Sequence, residues 1–168
     1  MKKRLIALCA AAFLMLGGSI ACADRKSADM DGHQHADGVA AESQHADVKK
    51  HQSCPHCGMD REKFAHSRML ITYSDGSTVG VCSIHCAVIE LKFNKNKPIK
   101  TVEVADFNTK KLVAVEKATW VIGGNKRGVM TIYAKWAFEK KDDAAAFIKK
   151  HYGKLISYKE ALAYAEKD

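Results

Sequence analysis

The feature that most constrains this chain is a set of two close cysteine pairs. Cys54 and Cys57 lie in C-P-H-C-G-M, and Cys82 and Cys86 lie in C-S-I-H-C. Two such pairs about two dozen residues apart commonly bring four sulfur ligands to one point, because each pair occupies a tight turn and the intervening hairpin returns the chain. The stretch between them therefore predicts a metal site.

The first 21 residues have the pattern of an export signal. Three basic residues at 2–4 precede an apolar run from Leu5 to Leu16, and small residues follow. The ending S-I-A-C has the small-residue-then-cysteine pattern of a bacterial lipoprotein signal, with Ser19 where leucine is usual, and this makes Cys22 the predicted lipidation site. The alternative cleavage, after Ala23, would release a soluble protein. We expect a periplasmic or cell-envelope protein, anchored to the membrane on the first interpretation.

The remaining chain has room for one compact domain. We assign residues 22–52 to a flexible linker, because they contain few apolar side chains to bury, and residues 53–168 to the metal-binding domain. The linker histidines form either a loose metal-collecting tail or part of a plain polar tether. They are His33, His35, His45 and His51.

The charge of the chain does not indicate a nucleic-acid partner. Lys and Arg number 27 against 19 Asp and Glu, and three of the basic residues belong to the signal. The predicted export and the lack of a basic helix with interleaved aromatic residues both argue against nucleic acid. The mild basic surplus is typical of a solvated surface.

Hydrophobic periodicity predicts a β-hairpin and then a helix inside the cysteine stretch. Apolar and polar residues alternate from Arg68 to Tyr73, Asp75-Gly76 supplies a tight turn, and Thr78 to Cys82 returns as a second strand. Ser83 is then the expected N-cap of a helix from Ile84 to about Phe93.

The second half of the chain predicts more strands and two more helices. One helix is expected through Ala144 to Tyr152, and Ser157 with Glu160 forms the capping box of a last helix. This order predicts an α+β domain, with a small, mostly antiparallel sheet and helices packed on one face. The expected extended segments are 101–107, 112–115, 120–122, 129–134 and 155–156.

Three chemistries fit the four cysteines. Zn(II) would take all four thiolates in a closed tetrahedral site, for which C-P-x-C-G is a common knuckle sequence. Cu(I) would take two or three soft donors from thiolate, thioether and imidazole groups. Disulfide bonding is the third, since an exported protein meets an oxidising compartment.

Three further residues are candidate ligands. His85 lies within the second cysteine pair, Met59 adjoins the first, and Met130 follows a glycine-rich segment where a side chain can be presented instead of packed. Each has a plainer interpretation, as a solvent-facing helical histidine or as a methionine that fills the core. The predicted metal ligands are Cys54, Cys57, Met59, Cys82, His85, Cys86 and Met130.

Four features resemble the NosL family of copper-binding accessory lipoproteins in nitrous oxide reductase maturation. They are the exported N-terminus ending near a cysteine, C-P-x-C-G-M at Cys54 to Met59, the turn at Asp75-Gly76, and G-V-M at Gly128 to Met130. The resemblance covers about Cys54 to Leu162. It implies a small α+β fold and a membrane-anchored periplasmic protein. Such a protein binds Cu(I) through cysteine and methionine and passes it to a copper-accepting protein or maturation complex.

The second cysteine pair departs from this family pattern. Carried over by motif, Cys57 and Met59 fall in the family's C-G-M segment, and Met130 takes the place of a later methionine. The usual members have no counterpart of C-S-I-H-C, so the chain would be a divergent member with an added structural zinc or second copper. The chain also resembles the TRASH class of heavy-metal-binding modules, which space one cysteine before a C-x-x-x-C pair.

We therefore expect a non-enzymatic, exported copper(I) metallochaperone. The alternatives are a structural zinc domain, a TRASH-like heavy-metal-binding module, and a thiol-disulfide oxidoreductase using Cys54 and Cys57. The last is disfavoured, because a redox C-x-x-C normally opens a helix, whereas Gly58 indicates a knuckle.

Overall fold

The computed structural model describes residues 45–168. No helix in that range is long and apolar enough to cross a lipid bilayer. The predicted export signal and Cys22 lie outside the described residues, as do His33 and His35. The helices are α1 (Ala46–Lys50), α2 (Ile84–Phe93), α3 (Lys141–His151) and α4 (Tyr158–Ala165).

The strands form two small antiparallel sheets. The first has the order β2-β1-β3-β4 and the second has the order β6-β5-β7. The predicted α+β class is confirmed, although we expected one sheet. The chain leaves the first sheet in a turn that Lys117 N–H closes onto the Ala114 carbonyl at 2.9 Å. The strands are β1 (Met69–Tyr73), β2 (Thr78–Val81), β3 (Ile99–Ala105), β4 (Leu112–Ala114), β5 (Thr119–Ile122), β6 (Lys135–Phe138) and β7 (Lys154–Ile156).

The core lies between the first sheet and α2. Met69, Ile71 and Tyr73 alternate along β1 into this core, as the period of a strand dictates. Helix α2 packs on β1 and β2, and α4 packs on α2 and β5. A second apolar cluster, which includes Trp136 and Phe147, joins α3 to β5 and β6. The helix that carries Cys86 is therefore fixed against the hairpin that leads to Cys82.

The ordered domain begins earlier than predicted, because α1 lies within residues assigned to the linker. Val48 is buried, and the Asp47 carboxylate contacts two arginines that are 0% exposed, Arg61 at 2.7 Å and Arg68 at 3.0 Å. A single apolar residue gave no periodic signal in the sequence. The ion pairs of Asp47, together with the one buried side chain of Val48, attach this helix to the domain.

Two linker histidines also contact the domain and are not part of a free metal-collecting tail. His51 Nε2 lies 2.9 Å from Thr78 Oγ1 on β2. His45 Nδ1 lies 3.4 Å from the Glu62 carboxylate. Each contact occupies one of the two ring nitrogens of its histidine.

The strand predicted at 129–134 is wrong, because this segment is an irregular loop before β6. Met130 has φ +50°, in the left-handed region and outside the β region of a regular strand. Thr131 and Ile132 make hydrogen bonds to the distant Asp168 carboxylate instead of to a neighbouring strand. The prediction failed because a contact 36 residues away decides the local backbone.

Candidate metal centre

The first cysteine pair lies in a tight turn at the start of the domain. Cys54 N–H donates to the Met59 carbonyl at 2.8 Å, and Gly58 N–H donates to the Cys54 carbonyl at 2.8 Å. Gly58 has φ +72°, which a residue with a side chain adopts only under strain. This turn points Cys54 and Cys57 to one side, as the knuckle interpretation predicts.

The second pair spans the junction of β2 and α2. Cys82 follows the last residue of β2, and Cys86 lies in the first turn of α2. Ser83 is the residue before the helix, as predicted, but its side chain makes no capping hydrogen bond. Its buried hydroxyl lies 3.8 Å from Cys82 Sγ instead. The turn from β2 into α2 thus places the sulfur atoms of Cys82 and Cys86 next to those of Cys54 and Cys57.

The four sulfur atoms lie within 4.8 Å of one another. Cys57 Sγ is 3.4 Å from Cys82 Sγ and 3.7 Å from Cys86 Sγ, and the last two are 3.7 Å apart. A disulfide bond would need about 2.05 Å. A tetrahedral ion with Zn–S bonds of about 2.3 Å places its sulfur ligands about 3.8 Å apart. The spacing therefore matches four ligands around an ion, and the cysteines are free thiols.

Hydrogen bonds between the thiols shift their pKa values in opposite directions. Hydrogen bonding from the Cys82 and Cys86 thiols, helped by the N–H groups of Cys82 and His56, holds the pKa of Cys54 well below its ordinary value. The same contact with Cys54 raises the pKa of Cys82 to about 12 and also raises the pKa of Cys86. Of these three thiols, Cys54 therefore ionises most readily. A bound cation would replace the thiol protons.

Access to the cluster is one-sided. Cys54, Cys82 and Cys86 are at most 2% exposed, whereas Cys57 is half-buried. A metal ion or an exchanging ligand would therefore reach the sulfur atoms past Cys57. The other three thiols are enclosed by the apolar core.

A buried carboxylate ties the first cysteine turn to α2. His56 Nε2 lies 2.9 Å from one oxygen of Glu90, while Tyr73 and Asn94 donate to the other at 2.7 and 2.9 Å. His56 also stacks on the exposed ring of Phe93, with ring centroids 6.2 Å apart. His56 is thus an anchor between the two cysteine pairs. Glu90 could not have been found from spacing alone.

A second set of soft donors lines an open cavity of about 450 Å³. Met59 and Met130 both line it, and Met130 is 40% exposed. His66 shares the same wall and packs against Phe107 and Trp136, with centroids 5.9 and 6.1 Å away. Burial lowers the pKa of His66, so its imidazole is neutral and keeps a lone pair at pH 7. Nothing in its sequence surroundings distinguished His66.

The structure groups the four predicted cysteine ligands, and His85 is not part of that group. Met59 and Met130 line the open cavity, and metal ligation by either stays a prediction. His85 lies in the first turn of α2, and its Nδ1 is buried without a hydrogen-bond partner among the described residues. Metal ligation by His85 stays a prediction.

Comparisons with known proteins agree with this fold. The crystal structure of the copper chaperone NosL from Shewanella denitrificans has a similar fold, with a TM-score of 0.52 and 22% sequence identity over 66% of this chain and 89% of that chain. No curated protein sequence matches significantly. The NosL family model matches residues 45–163, from α1 to α4 and therefore most of the chain. The chain belongs to the NosL family.

Proposed function

We propose that this protein is an exported, non-enzymatic accessory protein that binds Cu(I), collects it in the periplasm and delivers it to a copper-accepting protein. The observation that carries the proposal is the open cavity lined by Met59 and Met130. The similar Shewanella protein is a copper chaperone. Anchoring through a lipid on Cys22 and delivery into nitrous oxide reductase maturation are part of the proposal.

The chemistry of the cavity suits transfer of copper. Cu(I) is a soft ion that accepts few ligands, and thioethers bind it without having to lose a proton. The exposed Met130 leaves one side of the cavity open, so an incoming ligand can displace the thioethers step by step. His66 supplies a neutral nitrogen donor on the same wall. An incomplete coordination sphere of this kind favours handing the ion on.

The enclosed cysteine cluster supports a second candidate function, a structural zinc site. Its sulfur–sulfur distances are close to those between the ligands of a tetrahedral zinc ion, and three of its four thiols are buried. We propose that this cluster holds a resident ion, zinc or a second copper, that joins the first cysteine turn to α2. A dithiol redox role fits less well, because Cys54 is only 2% exposed.

Replacing Met59 or Met130 with leucine should weaken Cu(I) binding at least about tenfold, equivalent to about 1.4 kcal/mol. Leucine keeps most of the volume but has no sulfur lone pair. Competition between the reduced protein, with its cysteine cluster already loaded with one equivalent of metal, and a chromogenic Cu(I) chelator measures the affinity of the cavity. X-ray absorption at the copper edge should lose a sulfur contribution in either variant.

Met69→Leu is the matched control, because Met69 is fully buried on β1 and does not line the cavity. It should leave the Cu(I) affinity within about twofold, as expected for a volume-conserving core change. Equal affinities in all three variants would refute the cavity as a copper site. One tightly held zinc, with no competition by Cu(I) anywhere, would instead favour the structural function alone.

A further inference from the structure

Met130 lies in a loop that needs an external support. Residues 123–134 between β5 and β6 contain no helix or strand. Met130 has φ +50°, and a residue other than glycine in that conformation carries about 1–3 kcal/mol of backbone strain. Such a conformation persists only where the surrounding contacts enforce it.

The Asp168 side chain holds the part of the loop that directly follows Met130. One carboxylate oxygen accepts hydrogen bonds from Thr131 Oγ1 and Lys135 Nζ, both at 2.7 Å, and the other accepts from the Ile132 N–H at 3.0 Å. Lys135 Nζ also donates to Thr131 Oγ1 at 2.6 Å and to the Tyr133 carbonyl at 3.0 Å. These hydrogen bonds of Asp168 and Lys135 form the Asp168 clamp.

The clamp is buried. The side chains of Lys135 and Asp168 are 1% and 4% exposed. A pair hidden from water is held in one geometry far more firmly than a surface ion pair, and removing one partner leaves an uncompensated buried charge. The clamp begins at Thr131, directly after Met130, so it fixes the backbone next to the exposed thioether.

We propose that Asp168 is a positioning residue for copper, which holds the Met130 thioether at the cavity it shares with Met59. The inference rests on the proposed function, because it gives Met130 a ligand's role. Asp168 does not touch the ion. It acts through the backbone of the loop, and it links the segment after α4 to the copper cavity.

The test uses Asp168→Asn in the full chain, alone and combined with Met130→Leu. Asparagine keeps the size and some hydrogen bonds but leaves Lys135 without its counter-charge. We expect Cu(I) affinity to fall about fivefold to tenfold in Asp168→Asn. We expect no further fall when the change is added to Met130→Leu, because the residue that the clamp positions is already gone.

The matched control is Glu166→Gln, which removes an exposed carboxylate two residues away and should leave Cu(I) affinity unchanged. Unchanged affinity in Asp168→Asn would overturn the proposal. So would an equal loss with and without Met130, because that would indicate a general effect on the fold. Lys135→Met, which removes the other partner of the clamp, should reproduce the result of Asp168→Asn.

A measurement without copper separates this proposal from the copper function. The methyl NMR signal of Met130 in metal-free protein should have a distinct shift in the wild type and move toward the free-methionine position in Asp168→Asn. An unmoved signal would overturn the positioning role even if Met130 binds copper. A moved signal with no effect of Met130→Leu on Cu(I) would confirm the clamp and refute the copper role of Met130.

Discussion

Cys86→Ser should lower the affinity of the protein for Co(II) or Zn(II) by more than about a hundredfold. Changes to groups that only support a metal ligand typically cost about 10–100-fold, and this change removes a ligand itself. Serine does not ionise at neutral pH, so the cluster loses one of four thiolate donors. Titration with Co(II), followed by its sulfur charge-transfer absorption, measures both the affinity and the number of thiolates.

Ala87→Ser is the matched control, because it places the same hydroxyl in the same buried turn of α2 without removing a donor. Ala87 is 0% exposed, like Cys86. The control separates the cost of a buried hydroxyl from the loss of a ligand. If Cys86→Ser weakened Co(II) binding no more than Ala87→Ser did, the four-cysteine site would be refuted. Cys57→Ser should behave like Cys86→Ser.

Much of the fold could be predicted because its signals are local. The alternation along β1, the turn at Asp75-Gly76 and the helix after Ser83 each depend on a few neighbouring residues, and all three are present. The capping box of Ser157 and Glu160 is also confirmed, with both of its hydrogen bonds formed. Periodicity and turn chemistry are sufficient where the sequence neighbours decide the backbone.

The errors occur where distant partners decide the structure. Residues 129–134 have the apolar composition of a strand, but Asp168 holds them in a loop. Arg61 and Arg68 would normally be placed at the surface, yet both are 0% exposed around Asp47. A single sequence gives no indication of such long-range ionic contacts. The predicted linker therefore extended too far toward the domain.

The candidate site shows the same division. The four cysteines could be grouped from spacing, because a hairpin of ordinary length must return the second pair to the first. Met59 and Met130 were candidate ligands by position and by family resemblance, but neither predicted that they line one cavity, since 70 residues separate the two methionines. His66 and Glu90 had no signal at all, because each gains its role only from the packing around it.

Asp47→Ala should destabilise the protein by about 3–5 kcal/mol, the usual cost of removing one partner of a buried ion pair. Its carboxylate accepts from both Arg61 and Arg68, and its side chain is 5% exposed. Arg61 also donates to the carbonyls of Met69 and Val81, and Gly80 leaves room for it, since a Cβ there would lie 2.5 Å from the guanidinium. Urea unfolding of the reduced protein at fixed metal content measures the loss.

The matched control is Asp142→Ala, because Asp142 is also in the first turn of a helix but is exposed. It should cost no more than about 1 kcal/mol, the scale of a helix-dipole contact.

Burial opposes ionisation of Asp47, but hydrogen bonds and charge from Arg68 and Arg61 prevail and lower its pKa. Its contribution is therefore complete above about pH 4, the unfolded pKa, and is lost as the pH falls through the lower folded value. Wild-type stability should fall more steeply on acidification than that of Asp47→Ala. Parallel pH profiles, or equal losses in the two aspartate variants, would show that the ion pairs do not attach α1 to the domain.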